Sequence, residues 1–424
     1  MRVFKFGGAS IKDAESIQNV VSIVRRFLND SLVIVISASG KTTNAMESVV
    51  DAYWKRNIEE MQTALNQVKE HHKALTDALF EDSAHPVHNE IHDIFIDLEW
   101  ILEEEPQDKF DYLYDQIVGT GELLSTTIVS AYFNAVNLKT TWLDVRDCIQ
   151  TDNTYRDAQI NWKGTERAIK EKVPALLTKG LVVTQGFLGG TTENFTTTLG
   201  REGSDFTAAI FSYCLDAQDM SIWKDVPGVL TADPRLFDNP SLVEQLSYSE
   251  AIEMTYYGAQ VIHPKTIRPL QNKKIPLYVK SFIEPEGKGT VIGAFEINDY
   301  PPMIVIKEKQ VLLRIVSKDF FFVDEVKFSK LFETLAAYRI KVNMTQNTAL
   351  AFSVCVNGNA QKIEDLITDL EVDYEVEKTE DLKLVTIRHT SETFFNRILG
   401  TRKIYLEEKI GANIQLVMNK EEIL

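Results

Sequence analysis

The sequence predicts an α/β protein whose main sheet is largely parallel, and three observations lead to this prediction. The chain begins with a short apolar strand at 3–6, which runs through a glycine pair into a helix over 13–27 with helical apolar spacing. Leu32–Ile36 is a continuous apolar run, the pattern of a strand buried on both faces of a parallel sheet. Strand and helix patterns alternate again from 122 to 280, which favours helices packed on the sheet.

The other elements of this part of the chain follow in order. Residues 44–118 are rich in Glu, Gln, Lys and His and contain few glycines, which predicts a helical insertion. Apolar spacing and short β-branched runs then predict a helix at 122–133, strands at 141–145 and 181–184, a helix at 204–215, and strands at 220–223 and 277–280.

The chain is predicted to contain more than one domain, because 424 residues exceed the usual size of a single hydrophobic core. The prolines that follow Tyr300 interrupt regular structure, so we assign 1–299 to the α/β domain and 300–424 to a smaller α+β region. In that region we predict strands at 311–317, near 342, at 350–356, 382–387 and 414–417, and helices at 328–338, 363–370 and 392–409.

Composition excludes several classes of partner. The net charge of −17 repels nucleic acid and anionic membrane surfaces, so any phosphate site must be locally positive. No stretch approaches the ~18 apolar residues of a membrane span, and a cytoplasmic protein is expected. The three scattered cysteines have no spacing for metal or redox chemistry, which predicts buried thiols.

The helical insertion contains five of the seven histidines, at positions 71, 72, 85, 88 and 92. Histidine is a common metal ligand, so a metal site within the insertion is one interpretation. The spacing is more typical of solvated helix faces. We therefore predict no metal site there.

Two glycine-containing turns follow the first two strands. Lys5-Phe6-Gly7-Gly8-Ala9-Ser10 places a cation and two residues without Cβ atoms before a helix, which suits a phosphate cradle but is also typical of a tight turn. Ser37-Ala38-Ser39-Gly40 presents hydroxyl groups in the same way, although a polar turn is the alternative. Thr43 or Asn44 could serve simply as the N-cap of the next helix.

Charged residues also follow later strands. Arg201 to Asp205 joins a guanidinium suited to carboxylates with polar residues at a helix start, and the segment 223–235 is dense in turn residues and charges. Surface ion pairing and capping would explain either segment alone. Together with Lys5 they share one predicted edge of the sheet, and that edge has the glycine amides and cations that phosphoryl transfer requires.

At this point the sequence resembles the aspartate kinases of the amino-acid kinase family, and the resemblance covers nearly the whole chain. It implies the three-layer sandwich of that family and transfer of a phosphoryl group from ATP to the side-chain carboxylate of L-aspartate. The motifs that carry it are 5–10, 37–44, 119–125 (GTGELLS), 142–146 (WLDVR), 185–187 (QGF), 201–205, 225–228 with 233–235, and 258–264.

The resemblance implies which residues bind the amino acid and act on it. Lys5 would stabilise the charge that develops on the transferred phosphoryl group, and Asp205 would orient Lys5. Glu122 would bind the α-ammonium group of aspartate, and Arg201 would bind its α-carboxylate. The amino-acid pocket would be completed by Thr43, Phe187 and Ser204.

A nucleotide site for ATP is implied as well, with magnesium carried by the nucleotide and no metal ion held by the protein alone. The residues implied to border the nucleotide are Gly7, Gly8, Ser10, Ser39, Lys224, Asp225, Leu230, Arg235 and Gln260. The acceptor carboxylate has an ordinary pKa of ~3.9 and is ionised at pH 7, so no general base is needed to activate it.

The sequence departs from the family pattern at four positions. Ala9 stands where Thr is usual, and Glu202 stands where a small residue is common. Lys224 replaces Thr or Ser, and Gln260 replaces a lysine that binds the nucleotide in many members. We therefore hypothesise that Lys224 supplies the positive charge missing at Gln260.

The C-terminal region resembles the ACT regulatory domains of this family, which bind amino-acid end products such as lysine or threonine. A first unit is expected at about 310–372, and a second, shortened unit is expected to combine 300–309 with 379–424. Asn343 lies in the effector segment where Asp is frequent, which disfavours inhibition by lysine. ACT units generally pair across subunits, so a homodimer is expected.

Two other functions compete with an aspartate kinase at the head of lysine, threonine and methionine biosynthesis. The chain could phosphorylate a different amino acid or a nucleotide, or it could be a catalytically silent regulatory subunit that only binds an effector. Glu122, Arg201 and the long helical insertion favour aspartate. The presence of both Lys5 and Asp205 argues against a silent subunit.

Overall fold

The structure, a computed structural model, describes residues 1–259, 262–318, 325–391, 395 and 402–421. The chain divides into two compact units. The first unit comprises Met1–Val229, Leu242–Ile252 and Val261–Glu296. The second unit comprises Leu230–Ser241, Glu253–Gln260 and Ile297–Leu424. The domain bounds inferred from the sequence stay a prediction.

Eight strands of the first unit form one sheet in the order β3-β4-β2-β1-β7-β9-β10-β8. These strands are β1 (Arg2–Phe6), β2 (Leu32–Ile36), β3 (Thr140–Leu143), β4 (Leu181–Gln185), β7 (Asp219–Lys224), β8 (Gln245–Ser247), β9 (Leu277–Ser281) and β10 (Thr290–Gly293). Each described pairing is parallel except that of β9 with β10. Strands β5 (Leu188–Gly190) and β6 (Thr196–Thr198) form a separate antiparallel ribbon.

The helices of this part of the chain are α1 (Ala14–Arg25), α2 (Thr42–Trp54), α3 (Ile58–Leu79), α4 (Val87–Glu103), α5 (Phe110–Val118), α6 (Thr120–Ala135), α7 (Trp162–Leu177), α8 (Gly203–Cys214), α9 (Tyr248–Tyr257) and α10 (Pro264–Lys273). Short 3-10 helices lie at Gly8–Ile11 and Val145–Asp147. In the described parts of the chain, no helix is both long enough and apolar enough to cross a membrane.

Alternation along β1 explains why helices cover both faces of the sheet, because successive side chains of a strand point to opposite faces. Phe4 and Phe6 are fully buried in a core that also contains the apolar residues of α1 and α6. Each of these two phenylalanines contributes about 2 kcal/mol by its burial. Lys5 points to the other face, where it meets Asp205 on α8. The predicted α/β sandwich with a mainly parallel sheet is therefore confirmed.

The helical insertion is present as α2 to α5, which together span 42–118. Helix α2 begins at Thr42, so Thr43 and Asn44 lie inside it and neither of them caps it. The expectation of solvated histidines is wrong for His72, which is completely buried on α3. Its Nδ1 lies 2.8 Å from the Val68 carbonyl, and burial lowers its pKa to about 4.

The second unit contains a six-stranded antiparallel sheet in the order β12-β13-β11-β14-β16-β15. Its elements are β11 (Met303–Ser317), α11 (Glu325–Ala337), β12 (Val342–Asn347), β13 (Ala351–Asn357), α12 (Ala360–Leu370), β14 (Tyr374–Arg388), β15 (Ile404–Ile410) and β16 (Asn413–Asn419). Apolar residues of α11 and α12 form a core with β11 and β13. The α+β architecture expected for ACT-type domains is confirmed.

One element of the second unit differs from the prediction. A helix was expected over 392–409, but Ile404–Ile410 forms strand β15, which pairs antiparallel with β16. The consecutive polar residues Glu407, Glu408 and Lys409 are typical of a helix surface. In the structure they belong to a strand that buries Leu406 and exposes Glu407 and Lys409. Of the rest of that predicted helix, 392–403, only Phe395, Arg402 and Lys403 are described, and neither Arg402 nor Lys403 is helical.

The two central strands of this sheet, β11 and β14, are fifteen residues each and run through both halves of the unit. The segment 303–309 was expected to combine with the segment after Thr379, and Met303 to Lys307 do pair with Leu384 to Arg388. The register of this pair shifts between Lys307 and Leu312. At that level Lys309 and Asp381 both have left-handed backbone, with φ of 55° and 58°. A β-bulge of this kind bends the strands and increases their twist.

Candidate active site

The loops that follow β1 and β2 lie against each other at the carboxyl edge of the sheet. A Cβ atom at Gly8 would approach the carbonyl oxygens of Ala38 and Gly40 to 2.7 Å, so the packing requires glycine there. The Gly40 amide donates to the Gly8 carbonyl at 3.0 Å. The hydroxyl of Ser10 is buried and donates to the Gly7 carbonyl at 2.6 Å, which fixes the turn.

Two lysines share one buried carboxylate above these loops. The Lys5 ammonium lies 2.7 Å from Oδ1 of Asp205, and the Lys224 ammonium lies 3.9 Å from Oδ2. Burial alone would raise the pKa of Asp205, but the two ammonium groups outweigh it and hold the pKa below its usual value. A buried ion pair of this kind holds the Lys5 side chain in one position, since removing either partner leaves an uncompensated charge.

Glu122 is a second buried carboxylate, in the first turn of α6. The Ala38 amide donates to its Oε1 at 3.2 Å, whereas its Oε2 has no partner among the described residues. Burial raises the pKa of Glu122 to about 8, although the Ala38 amide and the Lys5 charge oppose the rise. An unpartnered buried carboxylate oxygen is costly, and a cationic ligand group would satisfy it.

Close glycine contacts set the start of α8. A Cβ atom at Gly186 would lie 2.4 Å from Cβ of Ser204, and one at Gly203 would lie 2.6 Å from the Phe187 ring. Phe187 has left-handed backbone, with φ of 69°, and its amide donates to the Thr207 hydroxyl at 3.0 Å. These contacts fix the positions of Phe187 and Ser204 against the sheet.

A pocket of about 550 Å³ joins these groups within the first unit. Its lining includes eight of the residues predicted from the sequence, namely Lys5, Thr43, Glu122, Phe187, Arg201, Ser204, Asp205 and Lys224. Arg201 is exposed and has no hydrogen-bond or ion-pair partner in the described parts of the chain. Both predicted catalytic residues and all five predicted substrate-binding residues therefore lie around one cavity.

The other predicted residues lie elsewhere. Gly7, Gly8, Ser10 and Ser39 belong to the two loops and are not part of the pocket lining, and Asp225 is exposed at the end of β7. Leu230 and Arg235 belong to the second unit. Gln260 lies outside the described residues.

The pocket is also lined by residues that were not predicted individually as site residues. Ser37, Gly200, Glu202 and Gly203 lie in or beside the motifs identified from the sequence, whereas sequence reasoning missed Glu47, Tyr114 and Arg156 altogether. Glu47 follows Thr43 by one helical turn, so the helix period could have found it. Tyr114 and Arg156 carry no motif signal, because only the folded chain brings α5 and the loop at 156 together.

No described group of His, Cys, Asp or Glu has the arrangement needed to bind a metal ion. His71 is half-buried and lies 3.0 Å from the hydroxyl of Ser39, which itself donates to the Ile11 carbonyl. Burial lowers the pKa of His71, which favours a neutral ring at pH 7. All three cysteines are buried as free thiols.

The protein is similar in sequence to one family of known proteins. The family model described as "Amino acid kinase family" matches residues 1–281. Lysine-sensitive aspartokinase 3 of Escherichia coli (strain K12) is 29% identical over 397 residues, which cover 91% of this chain and 86% of that protein. Aspartokinase 1, chloroplastic, of Arabidopsis thaliana is 32% identical over 399 residues, which cover 91% of this chain and 68% of that protein.

The solved structures give the same result. The crystal structure of E. coli aspartokinase III in complex with aspartate and ADP superimposes with a TM-score of 0.83 at 25% identity, covering 99% of this chain and 96% of that one. The family model extends over more than half of the chain, and the Arabidopsis relative exceeds 30% identity. The chain therefore belongs to the amino acid kinase family and, within that family, to the aspartokinases.

Proposed function

We propose that the pocket transfers the γ-phosphoryl group of ATP to the side-chain carboxylate of L-aspartate, giving 4-phospho-L-aspartate and ADP. The observation that carries this proposal is the meeting of three groups in one cavity: the Lys5–Asp205 ion pair, the unpartnered oxygen of Glu122, and the guanidinium of Arg201. These groups complement the three charges of aspartate, and the E. coli relative was crystallised with aspartate and ADP.

In this proposal the pocket orients aspartate by its α-amino acid end. Glu122 accepts the α-ammonium group, and Arg201 binds the α-carboxylate with its planar fork of donors. Thr43, Phe187 and Ser204 form the wall between these groups. The side-chain carboxylate then points toward the ammonium of Lys5, where the phosphoryl group arrives.

The residues of the pocket act mainly through position and charge. The attacking carboxylate is ionised at pH 7 and needs no general base. Lys5 stabilises the negative charge that spreads over the transferred oxygens, and Asp205 keeps its ammonium in place. A pair already formed at 2.7 Å avoids reorganisation of Lys5 during the reaction.

The nucleotide site is proposed to be formed by the two glycine-containing loops and the ends of β7. Gly7, Gly8, Ser10 and Ser39 supply the loops, and Lys224 supplies a cation next to Asp205. Magnesium would neutralise charge on the phosphates. We propose that magnesium enters the site bound to the phosphate oxygens of ATP.

Product formation tests the proposed function directly. Purified protein is incubated with magnesium-ATP and L-aspartate, and the acyl phosphate is trapped as its hydroxamate with hydroxylamine. We expect hydroxamate only when both substrates are present, with L-glutamate and N-acetyl-L-glutamate as negative controls. Absence of an aspartate-dependent product would reject the proposal, and product from either control would point to a different acceptor.

Replacement of Lys224 by alanine tests the compensation hypothesis. The change removes a cation 3.9 Å from Asp205, and we expect the Michaelis constant for ATP to rise roughly tenfold. Lys179→Ala, an exposed lysine outside the pocket lining, serves as the control and should behave like the wild type. An unchanged ATP constant in Lys224→Ala would show that the charge missing at Gln260 is not replaced by Lys224.

The second unit is proposed to regulate the enzyme by binding an amino-acid effector, in a cytoplasmic homodimer that begins lysine, threonine and methionine synthesis. The E. coli relative is named lysine-sensitive.

The Asn343 side chain is already hydrogen-bonded within the second unit. Its amide donates to Gln310 at 2.7 Å and to Asn357 at 2.6 Å, and its oxygen accepts from Lys307 at 3.0 Å. Because Asn343 is satisfied within the chain, lysine gains little there. Adding lysine, threonine and methionine in turn to the assay identifies the effector.

A further inference from the structure

A second arginine lies in the wall of the pocket, and neither the sequence motifs nor the family resemblance assigns it a role. We infer that Arg156 is a substrate-positioning residue, which binds the α-carboxylate end of aspartate together with Arg201. The inference rests on the proposed function of the pocket. Arg156 and Arg201 come from separate loops but line the same cavity.

The backbone of Arg156 is fixed from beneath. Its amide donates to both carboxylate oxygens of Asp115, at 3.2 and 3.0 Å. Asp115 is fully buried and also accepts from the amide and hydroxyl of Thr198, at 2.8 and 2.7 Å. Arg156 has left-handed backbone, with φ of 69°, which is uncommon for a residue other than glycine. Strained backbone held by buried contacts is typical of functional sites.

The side chain of Arg156 is also held in place, yet it keeps donors available. Its guanidinium carbon lies 4.4 Å from the centre of the Tyr114 ring and 5.6 Å from that of Phe110. Nη1 lies 3.3 Å from a carboxylate oxygen of Asp111. A guanidinium has five N–H donors, so stacking and one long ion pair leave most of them for a ligand.

The stacking partner is itself anchored to the pocket wall. The Tyr114 hydroxyl donates to Oε1 of Glu47 at 2.6 Å, and both residues line the cavity. Glu47 lies on α2 one turn after Thr43, which is proposed to bind aspartate. This connection orients the guanidinium before substrate arrives and lowers the entropy cost of binding.

The approach of the two arginines is built into the loop before Arg201. A Cβ atom at Gly200 would lie 3.0 Å from the Arg156 carbonyl and 2.6 Å from Oδ1 of Asp157, and Gly200 has a φ of +70°. Only glycine therefore allows this loop to pass so close to Arg156. Two arginines in the wall of one pocket favour a carboxylate ligand, since each guanidinium can donate two hydrogen bonds to it.

Substitution of Arg156 by methionine tests the inference in the hydroxamate assay. We expect the Michaelis constant for aspartate to rise about tenfold or more, with kcat and the ATP constant within about twofold of the wild type. Arg156→Lys should restore part of the loss, because it keeps the charge but not the fork. Arg167→Met, an exposed arginine outside the pocket lining, is the matched control.

A substrate analogue separates binding from a merely structural role. L-aspartate 1-amide lacks the charge of the α-carboxylate, so the wild type should bind it more weakly than aspartate in an equilibrium competition experiment. In Arg156→Met this difference should shrink. A difference of wild-type size, or an unchanged aspartate constant, would overturn the inference. Should Arg156→Met fail to fold, the lysine variant and Tyr114→Leu, which removes the stacking ring, carry the same comparison.

The failure of this inference can be distinguished from the failure of the proposed function. If the wild-type protein forms no aspartyl hydroxamate, the proposed function fails before any variant is considered. If the wild type is active and Arg156→Met has an unchanged aspartate constant, only the role of Arg156 is rejected. Thermal unfolding of each variant, measured by circular dichroism, shows whether a change in the constants reflects a loss of folded protein.

Discussion

Lys5→Met is expected to lower kcat for aspartyl phosphate formation by about a thousandfold, because it removes the cation proposed to stabilise charge on the transferred phosphoryl group. The Michaelis constant for aspartate should change much less, since Glu122 and Arg201 are proposed to bind the other end of the substrate. The effect is measured by the hydroxamate assay under saturating substrates. The measured loss combines two effects, because the same change also removes the ion-pair partner that lies 2.7 Å from Asp205.

Asp205→Asn separates the two contributions. It keeps Lys5 but removes the carboxylate that positions it, so we expect a smaller loss, of about ten- to a hundredfold in kcat. Lys163→Met, an exposed lysine on α7, is the control for the removal of a lysine as such. A Lys5→Met enzyme that retains more than a tenth of wild-type kcat while remaining folded would contradict the assignment of Lys5.

Glu122→Gln is expected to weaken aspartate binding about a hundredfold, since the α-ammonium group would lose a buried, charged acceptor. The wild-type carboxyl group has a pKa of about 8, so at pH 7 it is protonated in most of the unliganded enzyme. Ammonium binding requires the ionised form. Aspartate affinity should therefore rise by up to about tenfold per unit as pH approaches 8, and binding at pH 7 should release close to one proton.

Calorimetric titration in buffers of different ionisation enthalpy measures that proton release. Glu122→Gln should show none, and Glu166→Gln, a surface change on α7, should behave like the wild type. The raised pKa of Glu122 also makes the stability of the folded protein depend on pH. The folded pKa is raised above the unfolded value of 4.5, so this group's contribution is fully present below pH 4.5 and is lost as pH rises through about 8. Proton release that is equal in wild type and Glu122→Gln would contradict the role of Glu122.

Much of the fold follows from local pattern, and the exceptions have physical reasons. The continuous apolar run at 32–36 predicts a central strand, and it forms β2. The segment 404–409 was misassigned because its three consecutive polar residues, 407–409, hide the strand period in a strand at the edge of a sheet, whose partner β16 comes later in the chain. Its pairing, rather than its composition, determines its structure.

The site was predictable where its residues sit in motifs and obscure where they do not. Lys5 and Asp205 are two hundred residues apart, yet each lies in a recognisable segment at a strand end or helix start, and they meet. Tyr114 and Arg156 belong to no such segment. Their contact depends on the left-handed turn at Arg156 and on the buried carboxylate of Asp115, neither of which leaves a pattern in the sequence.

The bulge shared by β11 and β14 has a mechanical consequence for the six-stranded sheet of the second unit. Both long strands continue through the bulge, so their backbone hydrogen bonds connect the two halves of the unit. The left-handed residues Lys309 and Asp381 place the bulge at the same level in both strands. A change in the angle of this bulge would tilt the two halves of the sheet against each other, and the displacement would grow with distance from the bulge.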